Sequence, residues 1–245
     1  MNATKQQSGS IEVLSSHTSF SRRHCIVFSL CGILVFFSMF FRACNAIIAP
    51  QLQKDLSLSP ESLGALSAAF FYAFALNQIT LALLLDRIGA RLIMSALFMV
   101  GSVGAVVFAF AHSFEAAVAG RILLGLGMSG TLMGGMKLFT KWFAPRDFAT
   151  ATGLLVGLGT LGSMAASTPL ALLVDAIGWR GTFGYSSLCT AFMACVFYFI
   201  VRDDPRGNLP GLTPAPRIPG SGRVRRLLLN RDYWLISCAT FFRYG

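Results

Sequence analysis

The sequence predicts an all-α polytopic membrane protein, a six-helix bundle followed by the start of a seventh helix, and three observations carry that prediction. At least six apolar stretches approach the roughly 20 residues that an α-helix needs to cross a bilayer. Of the 245 residues 55% are apolar and only 12% charged, with a mean hydropathy of +0.66, a balance that a soluble core does not require. Strand-sized alternation of polar and apolar residues is missing, which argues against a transmembrane barrel.

Taken in order, residues 1–24 form a polar cytoplasmic tail, and the first apolar run follows it from Cys25 to Ile48. That run is too long for a signal-peptide core and contains Arg42, so it reads as an uncleaved first span. Further spans are expected from Glu61 to Leu85, Leu92 to His112, Ala116 to Lys137, Ala149 to Val174 and Gly181 to Val201. Together residues 25–201 make the six-helix bundle. Residues 202–232 hold Pro205, Pro210, Pro214, Pro216 and Pro219, five of the nine prolines, and read as an extended cytoplasmic linker. The linker ends in a basic amphipathic stretch, Val224 to Arg231, suited to an anionic membrane surface. A seventh span begins at Tyr233, and from Trp234 to Gly245 it reaches only about 18 Å into a hydrocarbon core of about 30 Å. Residues 233–245 are therefore expected to be an incomplete helix, with the chain ending inside the membrane.

The formal net charge of +10 is a topology signal and not a nucleic-acid footprint, because the basic residues alternate from loop to loop. With a cytoplasmic N-terminus, that side receives Lys5, Arg22, Arg23, Arg87, Arg91, Lys137, Lys141, Arg146, Arg202, Arg206, Arg217, Arg223, Arg225, Arg226 and Arg231, whereas the outer loops hold Lys54 and Arg180. Fifteen against two predicts a multi-pass protein of the cell inner membrane with its N-terminus inside. The six cysteines lie in or at the ends of spans and read as small apolar packers. No metal-spaced ligand set, nucleophile elbow or phosphate loop is present, and His17, His24 and His112 lie in the tail or at span ends, so neither an enzyme, a cofactor nor a metal site is expected.

Three arginines, Arg42, Arg121 and Arg243, fall inside apolar runs, where a charge costs roughly 2.5 to 3.5 kcal/mol to insert. Ser38, Arg42 and Asn45 form one polar stripe at i, i+4 and i+7, expected to face the bundle interior. Counting helical rise puts Arg42 and Arg121 roughly 5 to 10 Å below the outer surface, within reach of one cavity, and Arg243 near the midplane. No acid lies deep in any span, so a carboxylate or phosphate on a substrate could neutralise these guanidiniums through bidentate hydrogen bonds. The alternative for Arg42 is to snorkel to the outer interface. Tyr72 could bond a substrate or a neighbouring helix, Asn77 and Gln78 suit helix-to-helix bonding, and Lys137 is expected to snorkel. The candidate substrate-binding set is Arg42, Asn45, Tyr72, Arg121 and Arg243. Ten of the 24 glycines lie in spans four and five, among them Gly125, Gly127, Gly130, Gly134, Gly153, Gly157 and Gly162, and close helix packing is their expected use.

The most compact cluster of charge between two apolar runs is Asp86-Arg87-Ile88-Gly89-Ala90-Arg91. With the residues before it, Ala82 to Leu85, it resembles the Gly-x-x-x-Asp-Arg-x-Gly-Arg-Arg/Lys loop between spans two and three of the major facilitator superfamily, with Ala82 for Gly and Ala90 for the first basic residue. Three further segments resemble that family in the right order: Arg121-Ile122-Leu123-Leu124-Gly125-Leu126-Gly127 in span four, Trp142-Phe143-Ala144-Pro145 with Ala149 to Gly153 at the entry to span five, and Trp179-Arg180-Gly181-Thr182-Phe183 at the start of span six. The resemblance covers residues 25–245. It implies two six-helix bundles, each of two inverted three-helix repeats, rocking around a midplane site. It also implies that Asp86, Arg87, Gly89 and Arg91 form a gate loop against the other half, and that the Arg121 position can instead hydrogen-bond backbone of a neighbouring helix.

The expected function is alternating-access transport of a small organic anion, with protons as a candidate coupling ion. The expected partners are the lipid bilayer, the anion, and a missing C-terminal half or a second copy of the chain. Nucleic acid is excluded. A truncated, non-transporting membrane protein or interaction partner is the rival from another class. A multidrug exporter is the rival within the class, although Gly153 to Gly162 lacks the Gly-Pro pair of that branch.

Overall fold

A hydrocarbon environment leaves backbone amides no solvent partner, so apolar runs of this length must close their own hydrogen bonds as helices. The computed structural model describes residues 22–203; the tail, the linker, the seventh span and Arg243 lie outside the described residues. Within them run α1 (Arg22–Ala43), α2 (Asn45–Leu56), α3 (Pro60–Arg87), α4 (Ala90–Ala109), α5 (Phe114–Met128), α6 (Thr131–Trp142), α7 (Pro145–Ala165) and α8 (Thr168–Ile200), with no strand among the described residues. Six helices are long and apolar enough to cross a membrane, with α5 and α6 counted as one from Phe114 to Trp142. The expected all-α polytopic membrane architecture is the observed one.

Local chemistry sets the helix ends. The Ser59 hydroxyl accepts from the Ser62 N–H at 3.2 Å ahead of Pro60 at the first helical position, and Ser113 accepts from Ala116 in the same way. Pro145 opens α7. Helix α8 has 33 residues, which would extend about 50 Å at 1.5 Å per residue, too far for one crossing. Gly178 breaks it with φ 72° and ψ 162°, a conformation that favours glycine. The fifth crossing therefore comprises α7 and the start of α8, and the sixth begins at Trp179, close to the expected boundary at Gly181.

The ends of α1, α3, α4, α6, α7 and α8 that carry Arg22, Arg87, Arg91, Lys141, Arg146 and Arg202 form one basic face, and the α2–α3 loop and the Gly178 corner lie at the opposite face. Helix α4 packs against both α5 and α8, α1 against α7, and α3 against α5. A buried aromatic cluster of Phe41, Phe108, Trp179 and Phe183 fills the half toward the opposite face.

Small residues make the tightest contacts. A Cβ on Gly127 would fall 2.3 Å from the Gly101 Cα, and one on Gly125 would fall 2.3 Å from the Phe70 carbonyl oxygen. Gly162 meets the Phe36 carbonyl in the same way, whereas Gly153 and Gly157 meet nothing within 4 Å. The packing role expected for these glycines thus holds at 125, 127, 130, 134 and 162, where a Cβ would fall within 2.7 Å of a neighbour, and finds no contact at 153 or 157, which lie exposed on α7. Gly127→Leu is expected to destabilise the bundle by about 1–3 kcal/mol or to abolish folding, while Gly157→Ala leaves its thermal unfolding in detergent unchanged.

Candidate functional site

The polar interior is built around two interruptions in helices. Between α1 and α2 the chain turns at Cys44, and no bond from the Asn45 N–H to the Phe41 carbonyl forms. The freed Phe41 oxygen accepts from Arg121 Nη1 of α5 at 3.4 Å and from the Cys44 thiol at 3.2 Å. Between α5 and α6 the chain turns at Ser129 and Gly130. There the Met128 carbonyl accepts from the Ser38 hydroxyl of α1 at 3.1 Å, and the Ser129 carbonyl accepts from Gln78 Nε2 of α3 at 3.2 Å. Asn77 Nδ2 donates to the Ser129 hydroxyl at 2.7 Å and to the Leu126 carbonyl at 3.4 Å. Asn77 and Gln78 thus serve helix-to-helix bonding, and both reach the same break.

Arg121 is 1% exposed and is the single charged residue in the buried set among the described residues. Its Nη2 donates to Asn45 Oδ1, and Asn45 Nδ2 in turn donates to Ser67 Oγ, a chain that joins the α5, α2 and α3 crossings. The guanidinium lies over the Phe108 ring at 4.7 Å and near Phe183 at 6.0 Å. Cation–π contact of this desolvated kind contributes about 2 kcal/mol, which offsets part of the cost of burial. Nε of Arg121 has no hydrogen-bond partner.

Arg42 does not share that environment. It is exposed, 5.2 Å over the Phe71 ring on α3, while Ser38 and Asn45 of the same stripe turn inward. The single cavity expected for Arg42 and Arg121 is therefore not formed: one guanidinium is enclosed by aromatic rings and the other opens outward. Tyr72 is 70% exposed beside Phe71. Among the described residues, no group of three or more His, Cys, Asp or Glu side chains gathers closely enough to hold a metal ion.

At the basic face the Asp86–Arg91 loop is held from two sides. Asp86 accepts from Lys137 Nζ of α6 at 2.5 Å, and the same ammonium caps the Leu85 carbonyl at the end of α3. Lys137 was expected to snorkel, and its ammonium does reach the basic face, where an exposed carboxylate and a helix C-terminus hold it. Asp203, just beyond α8, accepts from the Arg91 backbone N–H at 2.9 Å and so places a carboxylate on the N-terminus of α4. Gly89 has φ 107°, and a Cβ there would fall 2.6 Å from the Asp203 carboxylate. Arg91 Nε donates to the Tyr198 carbonyl at 2.7 Å and its guanidinium covers the Tyr198 ring at 4.5 Å. Arg87 is exposed.

A second clamp closes the opposite face. Asp55, at the end of α2, accepts from Trp179 Nε1 at 2.9 Å and from Arg180 Nη1 at 2.6 Å, while Arg180 Nη2 donates to the Ala111 carbonyl. Asp55 and Asp203 were not singled out from the sequence, because each finds its partner at least 112 residues away in the chain. The Trp179-Arg180 pair was the available signal, since two adjacent donors at a helix start need an acceptor.

The Trp179 indole, with Arg180 behind it, holds the Asp55 carboxyl below its ordinary value of 3.8. A folded-state value below the unfolded one contributes stability above that ordinary value and loses it as pH falls. Thermal stability in detergent should therefore drop as pH is lowered through and below 3.8, and Asp55→Asn should flatten that dependence. Arg121→Met should cost about 1–3 kcal/mol, because the Phe41 carbonyl and Asn45 lose their donor inside the bundle. Arg42→Ala, at an exposed site, should stay within about 0.5 kcal/mol in the same unfolding measurement.

Comparison with known proteins extends the picture. A family model described as Major Facilitator Superfamily matches residues 31–245. The chain is similar to the nitrate/nitrite transporter NrtP of Nostoc punctiforme, 28% identical over 204 residues, covering 80% of this chain and 39% of that protein. It is also similar to the probable sulfoacetate transporter SauU of Cupriavidus necator, at 26% identity over 75% of this chain and 42% of that one. The hexuronate transporter of Bacillus subtilis is 25% identical over 83% of this chain and 49% of its own length. The chain thus spans less than half the length of these curated relatives. In fold it is similar to an inward-facing, unoccupied bacterial homologue of the human lysosomal transporter Spinster, with a TM-score of 0.68 at 20% identity over 82% of this chain and 47% of that one. The E. coli fucose:proton symporter FucP gives 0.61 at 14% identity over 72% and 43%.

Proposed function

The chain belongs to the Major Facilitator Superfamily, and we propose that it supplies the first six-helix half of a secondary transporter for small organic anions. One observation carries the substrate class: Arg42 presents an exposed guanidinium at the end of the first membrane-length helix, and none of the ion pairs among the described residues includes it. Such a group gains most from a carboxylate or similar anion that can accept two parallel N–H donors. Tyr72, beside the Phe71 ring that Arg42 covers, adds a hydroxyl and an aromatic face. Relatives named for nitrate, sulfoacetate, galactonate and hexuronate support an anionic cargo.

In this reading Asn45 and Arg121 shape the site from behind. Asn45 is bonded to Arg121, and Arg121 anchors the broken first crossing next to Arg42. Residues 25–201 are the half-transporter, 202–232 a linker on the cytoplasmic side, and 233–245 with Arg243 the start of the partner half. The partner half, or a second copy, completes the cavity, and Asp86, Arg87, Gly89 and Arg91 meet it as a gate. The fifteen-to-two distribution of basic residues supports a cytoplasmic N-terminus. Protons are the coupling ion we favour.

Uptake of radiolabelled carboxylates into vesicles, measured on the reading frame that contains this chain, tests the proposal. Arg42→Ala should reduce uptake roughly ten- to a hundredfold, the range for losing a charge-assisted hydrogen bond of about 1.5–3 kcal/mol, and Arg42→Lys should restore part of it. Equal anion uptake by wild type and Arg42→Ala would remove Arg42 from the substrate path.

A further inference from the structure

At the basic face a groove of about 320 Å³ opens between the start of α1, the end of α6 and the end of α8. Its walls divide by chemistry. Arg23 and Arg202, both exposed, stand at it as two cations, while Ile26, Phe199, Ile200 and Trp142 supply apolar surface. None of the ion pairs among the described residues includes Arg23 or Arg202. Asp203, next in the chain, is directed to the Arg91 backbone and the Gly89 turn. The Trp142 indole N–H is already given to the Arg202 carbonyl at 3.0 Å, which fixes the Arg202 backbone at the groove and leaves the ring as a wall. Phe199 is 78% exposed and Ile26 38% exposed, so the apolar part continues onto the outer surface of membrane-length helices.

We propose that this groove binds an anionic glycerophospholipid of the leaflet at the basic face, its phosphate held between Arg23 and Arg202 and its acyl chain laid along Ile26, Phe199 and Ile200. Three features select that occupant. Two guanidiniums at a membrane edge, in no ion pair among the described residues, attract an anionic headgroup, and Arg takes phosphate in bidentate fashion. The apolar wall begins directly beneath the cations on the same helices, which suits a molecule that is charged at one end and hydrocarbon at the other. A tryptophan at that level matches the membrane interface. The larger groove at the opposite face, along Val106, Phe110, Tyr185 and Leu188, differs in that its cation Arg180 is already paired with Asp55.

The proposal rests on the membrane-spanning reading and is independent of the transported substrate. Its test reads lipid binding and not uptake. The full chain is reconstituted in vesicles of phosphatidylethanolamine with either phosphatidylglycerol or phosphatidylcholine, extracted into mild detergent, and the retained phospholipids are counted by native mass spectrometry. Wild type should keep phosphatidylglycerol in preference to phosphatidylcholine. Arg23→Gln with Arg202→Gln should weaken that retention roughly 25-fold, about fivefold for each guanidinium near an anionic surface, whereas Arg146→Gln, at the same face outside the groove, should leave it unchanged. A second measurement needs no charge variant: acyl-brominated phosphatidylglycerol should quench tryptophan fluorescence more than the brominated phosphatidylcholine, and Trp142→Phe should abolish the difference. Equal retention of the two lipids by wild type, equal phosphatidylglycerol retention by the double variant, or a quenching difference that survives Trp142→Phe would each overturn the proposal.

Discussion

A carbonyl freed from its helix inside hydrocarbon must find another donor, and this bundle is organised around that requirement. The first and fourth crossings are both interrupted, and each supplies the donor that the other needs. Arg121 of the fourth crossing takes the Phe41 carbonyl of the first, and Ser38 of the first takes the Met128 carbonyl of the fourth. Asn77 and Gln78 from α3 add three more bonds at the second break. Interhelical hydrogen bonds in membranes contribute about 0.6 kcal/mol each on average, so no single bond holds the bundle. Their collective effect is geometric, because the two interruptions register the first, second and fourth crossings against one another.

The same registration divides the labour between two arginines that look alike in sequence. Arg121 is surrounded by Phe108, Phe183, Asn45 and the Phe41 carbonyl, which together make a charge tolerable in the bundle interior. Moving it would expose several dependants at once. Arg42 has one ring beneath it and an open side. The first environment fixes helices, and the second leaves a guanidinium open to whatever approaches from outside the bundle.

Much of this was legible in the sequence, and the part that was not has a physical cause. Span number, the positions of the loops and the packing role of Gly125, Gly127 and Gly162 follow from apolar run length and residue size, which are local properties. The separation of Arg42 from Arg121 does not follow, because counting helical rise gives depth and leaves azimuth to packing. Ser38 and Asn45, seven residues apart and so on one helical face, bond inward, while Arg42 between them lies exposed over Phe71. The partner of Lys137 was not legible for a related reason: its carboxylate lies 51 residues earlier in the chain, and proximity across a turn of tertiary structure leaves no periodic trace. Asp203 left no trace on the same ground, and for Asp55 the Trp179-Arg180 donors signalled an acceptor without saying which.

Three acids at or just beyond helix ends tie neighbouring helices together. Asp86 ties α3 to α6, Asp203 ties the start of α4 to the end of α8, and Asp55 ties α2 to the corner before the sixth crossing. All three lie at the two faces, where an ion pair costs little desolvation, and none lies within the hydrocarbon. Helices stapled at both ends and registered in the middle resist sliding past one another. The surfaces left without staples are the outward sides of α3 and α7, where Tyr72, Leu76, Ile79, Leu154 and Met164 are exposed and Gly153 and Gly157 meet open space. Any load that falls on those outward sides is therefore separated from the Arg121 network, which the two helix interruptions hold inside the bundle.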